Sequence, residues 1–343
     1  MLSIDGSIGE GGGQVLRTSL ALAVITGKAF RMINIRRRRA KPGLMPQHLK
    51  AVEAASAVGM ARVGGDRFGS QELVFEPTGI RAGQFHFDIG TAGATSLVLQ
   101  TIVYPLSFGH ADANLTLVGG THVPWSPCFH YLQLHWLRYM EKIGFAIDLK
   151  LESAGFYPRG GGRIHATVHP VLKLSALQIS DRGSLKRIRG ISAVANLSTD
   201  VAERQKRQAL RKLGELSKLA EFEILSIPAL SPGTFLLLLA EFENSQCCFY
   251  GLGARGKPAE RVADEAVNGF RDFMLTDGCI DHYLADQLVL PLALASGKSD
   301  VKASQITLHL TTNAEVVRMF LPVSIEIDGK IGEPGSVRIS GGM

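Results

Sequence analysis

The chain has 343 residues, 45% of them apolar and 20% charged, with a formal net charge of +6. That length suits two or three domains with cores of their own, and the balance of apolar and charged residues excludes a disordered chain. Glycine is high at 38 residues but clustered without period, which excludes collagen and points to tight turns or close backbone approach to a ligand.

No apolar run nears the ~20 residues of a membrane span, and runs such as 20–25 and 236–240 read as core pieces. No membrane association is expected. The first residues lack a basic region followed by an apolar stretch, so no secretory signal is read there. Cys128, Cys247, Cys248 and Cys279 have neither disulfide-framework nor metal-ligand spacing, and a reduced, cytoplasmic setting is expected. The first 50 residues hold nine Lys/Arg against Asp5 and Glu10, more than the surplus of the whole chain. Such a patch suits an anionic partner, phosphate or nucleic acid, although a solvated face chosen for solubility has the same composition.

Along the chain, three segments share one pattern: an Asp or small-residue turn, a Leu/Ala-rich helix, then an alternating strand. The first runs from Asp5-Gly6 and the glycines before Gln14 into a helix over 15–26 and a strand over 30–35. A helix over 47–58 and a strand at 73–75 follow. The second starts at 88–93, with a helix over 95–108, a strand at 114–118, a helix over 129–143 and a strand at 146–151. The third starts at Asp286-Gln287, with a helix over 288–295, a strand over 301–310, a helix over 314–320 and a strand over 323–327. Residues 182–275 are too long for a linker. They hold strands at 188–195, 235–242 and 247–251, a helix opened by Asp200 and Glu203 at capping-box spacing, and an amphipathic helix over 259–274. The expectation is a large domain from 1–181 and 276–343, interrupted by a small α/β domain at 182–275.

Several motifs can be weighed singly. Gly9-Glu10-Gly11-Gly12-Gly13-Gln14 fails the dinucleotide fingerprint because Gln14 takes the last glycine position. Amides at a helix N-terminus with Arg17 one turn on would still hold an anion, and a purely structural turn fits as well. Gly251-x-x-x-x-Gly256-Lys257 lacks the Ser/Thr of a phosphate loop; Pro258 there reads better as the opening of a helix. His122, Cys128, His130 and His135 hint at zinc, but a five-residue spacing keeps His130 and His135 off one helix face. In Thr307-Leu308-His309-Leu310-Thr311-Thr312-Asn313 a strand ends, with Thr312 and Glu315 spaced to cap the helix over 314–320. His309 is then either a hydrogen-bonded core residue or a group beside a phosphate site at a helix N-terminus.

Taken together, the strings resemble the RNA 3′-terminal phosphate cyclase family. The matching pieces are Asp5-Gly6 with Gly9 to Arg17, Arg39-Ala40-Lys41-Pro42-Gly43-Leu44 with Gln47-His48, Gly93 to Gln100, Gly119-Gly120-Thr121, Gly155 to Gly162, Tyr283-Leu284-Ala285-Asp286-Gln287, and His309 to Asn313. The resemblance implies an α/β (α+β) fold: a large domain of three βαβαββ repeats similar to the C-terminal domain of translation initiation factor three, plus a small inserted α/β domain. It implies ATP-dependent conversion of an RNA 3′-terminal phosphate to a 2′,3′-cyclic phosphodiester through a covalent histidine–AMP at His309 and an RNA-adenylate. ATP would be held by Gln100, Tyr283, Leu284, Ala285, Asp286 and Gln287, with Pro127 as the opposite wall of the adenine slot. Arg17, Arg39, Gln14, Gln47 and His48 would meet phosphates and the RNA end, and Glu10 would hold Mg²⁺ or Mn²⁺. The partner is RNA bearing a 3′-phosphate.

The chemistry suits these residue types. A phosphate monoester has no good leaving group until it is adenylylated, and a neutral imidazole splits that difficult step in two. Two departures from the family pattern stand out: Arg36-Arg37-Arg38-Arg39 replaces Arg-x-Gly-Arg, and His122 stands where Asn or Asp is usual. The rival readings are a cyclase-like ribosome-assembly protein without activity, which lacks the nucleophilic histidine, and an enolpyruvyl transferase built on similar repeats.

Overall fold

A computed structural model describes residues 1–342. Its strands form four mixed sheets of four strands each, interleaved with helices in a mixed α/β arrangement. Three of the sheets repeat one topology. The first contains β1 (Leu2–Asp5), β2 (Phe30–Ile33), β3 (Arg62–Gly64) and β4 (Leu73–Glu76) in the order β1-β2-β4-β3. The second contains β5 (Gly83–Asp88), β6 (Ala113–Gly119), β7 (Ile147–Ser153) and β8 (Gly162–Val168) in the order β5-β6-β8-β7. The third contains β9 (Gln178–Ile179), β14 (Gly297–Ala303), β15 (Ser324–Asp328) and β16 (Gly335–Gly341) in the order β9-β14-β16-β15. In each, the first two strands run parallel and the remaining pairings are antiparallel.

Each first strand leads into a turn folded on an aspartate, which sets where the chain leaves the sheet. Asp5 Oδ1 accepts from Ser7 N at 2.9 Å, Asp88 Oδ1 from Gly90 N at 2.8 Å and Asp181 Oδ1 from Gly183 N at 2.9 Å. The third unit therefore starts at Gln178, not at Asp286. Residues 182–275 separate its first strand from its first helix. Asp286 lies inside α8 (His282–Leu294), which starts six residues before the expected 288.

Helix α1 (Gly13–Thr26) packs against α2 (Pro46–Gly59), α3 (Thr95–Ser107) and α9 (Leu308–Phe320). Its small residues Ser19, Ala21 and Ala23 are buried, and a Cβ on Gly59 would lie 2.6 Å from Val24 Cγ2, so α1 and α2 meet at close range. Two further boundaries that bear on the site differ from the sequence expectation. α9 begins at Leu308 because Thr307, not Thr312, is its N-cap and accepts from Leu310 N at 3.1 Å. β14 correspondingly ends at Ala303, so His309 stands in the first turn of a helix and not at a strand end. The helix over 129–143 is interrupted: α4 (Phe129–Tyr131) passes through a π turn (Leu132–Trp136) into α5 (Leu137–Ile143).

The fourth sheet is built from residues 182–275. It orders β11 (Ala220–Ser226), β10 (Leu185–Ala195), β12 (Gly233–Phe242) and β13 (Gln246–Leu252), with α6 (Thr199–Leu213) and α7 (Ala259–Met274). Ser198 caps α6, accepting from Asp200 N, in place of the expected Asp200–Glu203 box. β12 is apolar on both faces because both are covered. Leu236, Leu238 and Ala240 pack with α7, whereas Phe235, Leu237 and Leu239 join the core of the three-unit body. Pro258 is the N-cap of α7, and Lys257 Nζ donates to Leu252 O at 2.6 Å, so the Gly251–Lys257 loop is occupied with its own backbone.

Candidate active site

The N-termini of α1 and α9 converge. The glycine loop before α1 reaches α9 through Glu10 N, which donates to Thr312 Oγ1 at 3.0 Å. Gly9 adopts φ 51° there, and a Cβ on it would collide with Thr312, so no other residue fits. Thr18 Oγ1 donates to Asn313 Oδ1 at 2.7 Å, and Asn313 Nδ2 donates to Asp286 O at 2.8 Å. Helices α1, α8 and α9 are thereby tied around one cleft.

Within it, His309 Nδ1 lies 2.9 Å from Gln14 Oε1 and 4.0 Å from Glu10 Oε2. With the amide oxygen accepting, the proton sits on Nδ1 and Nε2 keeps its lone pair. Burial, Arg17 and Arg39 all hold the imidazole below its ordinary pKa, so His309 is neutral at pH 7. Its side chain is nonetheless 51% exposed, open to an incoming group. Arg39 pairs with the Glu10 carboxylate. His48 accepts from Met45 N through Nδ1 at 3.1 Å, which leaves its Nε2 facing Gly13; a Cβ there would lie 2.6 Å from Nε2 and 2.7 Å from Arg17 Nη1. Burial, Arg17 and Arg36 push His48 down to about 3. Burial lowers Arg17 to about 10 against the pull of Asp286, and burial raises Asp286 to about 7 against the pull of Arg17. Each shift disfavours the charged form: Arg17 gains from an added anion, whereas Asp286 gains from a proton.

A second row lies along α3 and α8. Gln100 Nε2 donates to Gln287 Oε1 at 2.6 Å, and Gln287 Nε2 donates to Tyr283 O at 2.6 Å. Tyr283 is half-exposed, its ring 3.9 Å from that of His282. Nearby, Tyr250 OH donates to the carbonyl of Ser126, the neighbour of Pro127, at 2.7 Å. Leu284 and Ala285 turn their side chains into the core, so only their backbone is left for a ligand. Gln47 stands at the border with the second unit, where its Oε1 accepts from Ala94 N at 3.4 Å.

Among the described residues, no three His, Cys, Asp or Glu side chains group as metal ligands. Glu10 is a single carboxylate at the cleft, a donor set that fits Mg²⁺ or Mn²⁺ only when phosphate oxygens complete the shell. The histidines near 122–135 have other partners. His122 meets Thr121 Oγ1 and His130 Nδ1, each at 2.8 Å, and stacks on Phe235 with centroids 4.6 Å apart. His135 Nε2 reaches Asp281 Oδ2 at 2.6 Å.

Sequence patterning gives no hint of that last pair. Asp281 is fully buried at the N-cap of α8 and also accepts from Tyr131 OH and Leu284 N, each at 3.0 Å. Gln246 of β13 donates Nε2–H to Leu134 O at 2.9 Å and to His135 Nδ1 at 3.1 Å. An Asp just before an apolar helix is a cap signal; its partners on α4 and the π turn lie more than 100 residues away and leave no local trace.

A family model described as RNA 3′-terminal phosphate cyclase matches residues 8–327. A protein of Caldivirga maquilingensis with the curated name RNA 3′-terminal phosphate cyclase is 42% identical over 333 residues, covering 95% of this chain and 94% of its own length. One of Hyperthermus butylicus with the same name is 40% identical, covering 99% of this chain and 98% of its own. The solved enolpyruvyl transferase NikO of Streptomyces tendae gives a TM-score of 0.37 at 11% identity, over 99% of this chain and 48% of that one, a likeness too slight to weigh.

Proposed function

Since the chain belongs to the RNA 3′-terminal phosphate cyclase family, we propose that it is an enzyme that closes an RNA 3′-phosphate to a 2′,3′-cyclic phosphodiester at the expense of ATP. The observation that carries the mechanism is His309: neutral, half-exposed, held by Gln14 through Nδ1, with Nε2 unengaged and within the influence of Arg17 and Arg39.

Nε2 attacks the α-phosphorus of ATP, forming a P–N bond as the bond to pyrophosphate breaks. An oxygen of the RNA 3′-phosphate then attacks the same phosphorus, breaking the P–N bond and giving an RNA-adenylate with His309 neutral again. The adjacent 2′-OH attacks the 3′-phosphorus, loses its proton, and expels AMP. Gln14 fixes the imidazole so that Nε2 faces the cleft, which lowers the entropic cost of in-line attack. Arg17 and Arg39 stabilise charge on the phosphoryl oxygens as it moves. His48, neutral with its Nε2–H beside Gly13 at the start of α1, donates to a phosphate held there without competing for protons at pH 7. Bound beside Glu10, Mg²⁺ or Mn²⁺ supplies charge neutralisation at the phosphates. Tyr283 offers a face for adenine against Pro127, while Gln100, Asp286 and Gln287 line the nucleotide row. Gln47 faces the RNA end.

The same reading takes the three like-connected sheets as copies of one unit similar to the C-terminal domain of translation initiation factor three. It treats 182–275 as a separate inserted domain and places the protein in the cytoplasm, consistent with four unpaired cysteines among the described residues. No helix of the described residues is long and apolar enough to cross a membrane. An RNA radiolabelled in its 3′-phosphate tests the overall reaction: with ATP the label should become resistant to phosphatase, and persistent sensitivity would contradict the proposal.

A further inference from the structure

The loop from Asn34 to Gly43 displays more positive charge than the chemistry at His309 uses. It is a built turn, not a slack one. Asn34 adopts φ 55°, which asparagine tolerates, and Arg36 adopts φ 53°, a conformation that an arginine rarely enters unless held. Arg36 supplies the hold: its Nη1 donates to Lys41 O at 2.8 Å and Gly43 O at 3.0 Å. Backbone bonds from Arg37 N to Asn34 O and from Arg39 N to Arg36 O close the turns inside it. One arginine is thus the spine of the loop, and Arg39 turns inward to Glu10.

Arg37, Arg38 and Lys41 remain exposed. Among the described residues none of the three forms an ion pair, and the one side-chain bond is a long 3.4 Å contact from Arg37 to Asn34 Oδ1. Other surface cations are paired with acids, as in Arg31–Glu72, Lys50–Glu53, Arg187–Glu241 and Arg204–Glu260; what sets these three apart is that they cluster within five residues of one built loop. Of the three, Arg38 has an acid near enough to feel it, Asp5, and no direct pair forms. A cationic cluster on a rigid loop, with Arg39 of the same loop turned into the reaction centre, is arranged for an anion longer than one phosphate.

We propose that Arg37, Arg38 and Lys41 form a rail for the backbone phosphates of the RNA strand just upstream of its 3′ end. This rests on the cyclase reading and adds a contact region outside the reacting atoms. Guanidinium and ammonium groups bind phosphate irrespective of base, so the rail gives affinity and direction without sequence preference. It also makes strand length a determinant: a lone nucleoside 3′-phosphate has nothing to lay on it.

The test is a triple variant, Arg37→Ala, Arg38→Ala, Lys41→Ala, compared with the unaltered protein in three assays. Formation of the protein–AMP adduct from ATP alone should be unchanged. The KM for an oligoribonucleotide with a 3′-phosphate should rise about tenfold at ~0.1 M salt, and the salt dependence of log KM should flatten by about 2, the loss of three single-strand phosphate contacts. On a nucleoside 3′-monophosphate the variant and the parent should be alike. An unchanged KM and salt slope on the oligonucleotide would overturn the rail, as would an equal rise on the mononucleotide. Absence of any adduct in the parent protein would instead overturn the cyclase reading beneath it.

Discussion

His309 and His135 make an instructive pair. Each is an imidazole beside a carboxylate, yet their settings are opposite. His309 is about half-exposed, has Gln14 on Nδ1 and leaves Nε2 unengaged; His135 is fully buried, with Asp281 on one nitrogen and Gln246 on the other. The acids differ likewise. Burial pushes Asp281 up, but His135, His282 and the Leu284 amide more than reverse that and hold it below its ordinary value. Asp286, further along the same helix, lacks that set of donors and rises to about 7. A satisfied buried group braces, and an unsatisfied one beside a cleft is poised to react. The braced group here holds α8, the helix that presents Tyr283, Asp286 and Gln287.

If the buried network is a brace, breaking it should cost far more stability than any substitution at the cleft. Asp281→Ala strands donors on His135, Tyr131 and Leu284, and should cost ~3–5 kcal/mol in urea unfolding. A loss under ~1 kcal/mol would mean the network is incidental. At the cleft, Arg39→Ala should leave unfolding nearly unchanged yet reduce turnover ~100-fold, with Arg39→Lys recovering part of it, because lysine lacks the planar two-donor fork. A stability loss equal to that of Asp281→Ala would erase the distinction between the two regions.

Titration sharpens the comparison further. Burial lowers His48 to about 3 and His130 to about 4, and holds His122 well below 6.5. In the unfolded chain all three bind protons near pH 6.5, so the unfolded state takes up more protons as pH falls from there. Their stabilising contribution is complete above about pH 6.5 and is lost progressively towards about pH 3. Asp286, raised to about 7, works against this over the same window, but as one group against three, so the urea midpoint should be lower at pH 5 than at pH 7.5; a higher midpoint at pH 5 would contradict it. The smallest effect belongs to Arg37→Ala, which at saturating RNA should change turnover by no more than about 2-fold, since its contacts are to bound strand and not to the reacting phosphate.

Much of this architecture is legible in sequence wherever the signal is local. The helix over 259–274 matches its expected bounds because its apolar period is strong, and the glycine run before Gln14 marks the start of α1. The first strand of the third unit gives no such signal, because it is two residues long and 182–275 part it from its helix. The start of α9 is masked because Ile306-Thr307-Leu308-His309-Leu310 alternates like a strand, and Thr312 with Glu315 mimics a cap that Thr307 provides. The His135–Asp281–Gln246 network has no signature at all: it joins a π turn, a helix cap and an inserted strand that only tertiary packing brings together.

The central claim is that Nε2 of His309 is the nucleophile, and ATP labelled at the α-phosphate tests it without RNA. Mixed with Mg²⁺, the protein should retain label covalently, in a linkage labile to acid and comparatively stable to base, and peptide mapping should place AMP on His309. His309→Asn, which keeps a polar group in the first turn of α9, should remove the adduct and leave the urea midpoint largely unchanged. An adduct that survives in His309→Asn, or maps to a lysine such as Lys257, would contradict the account.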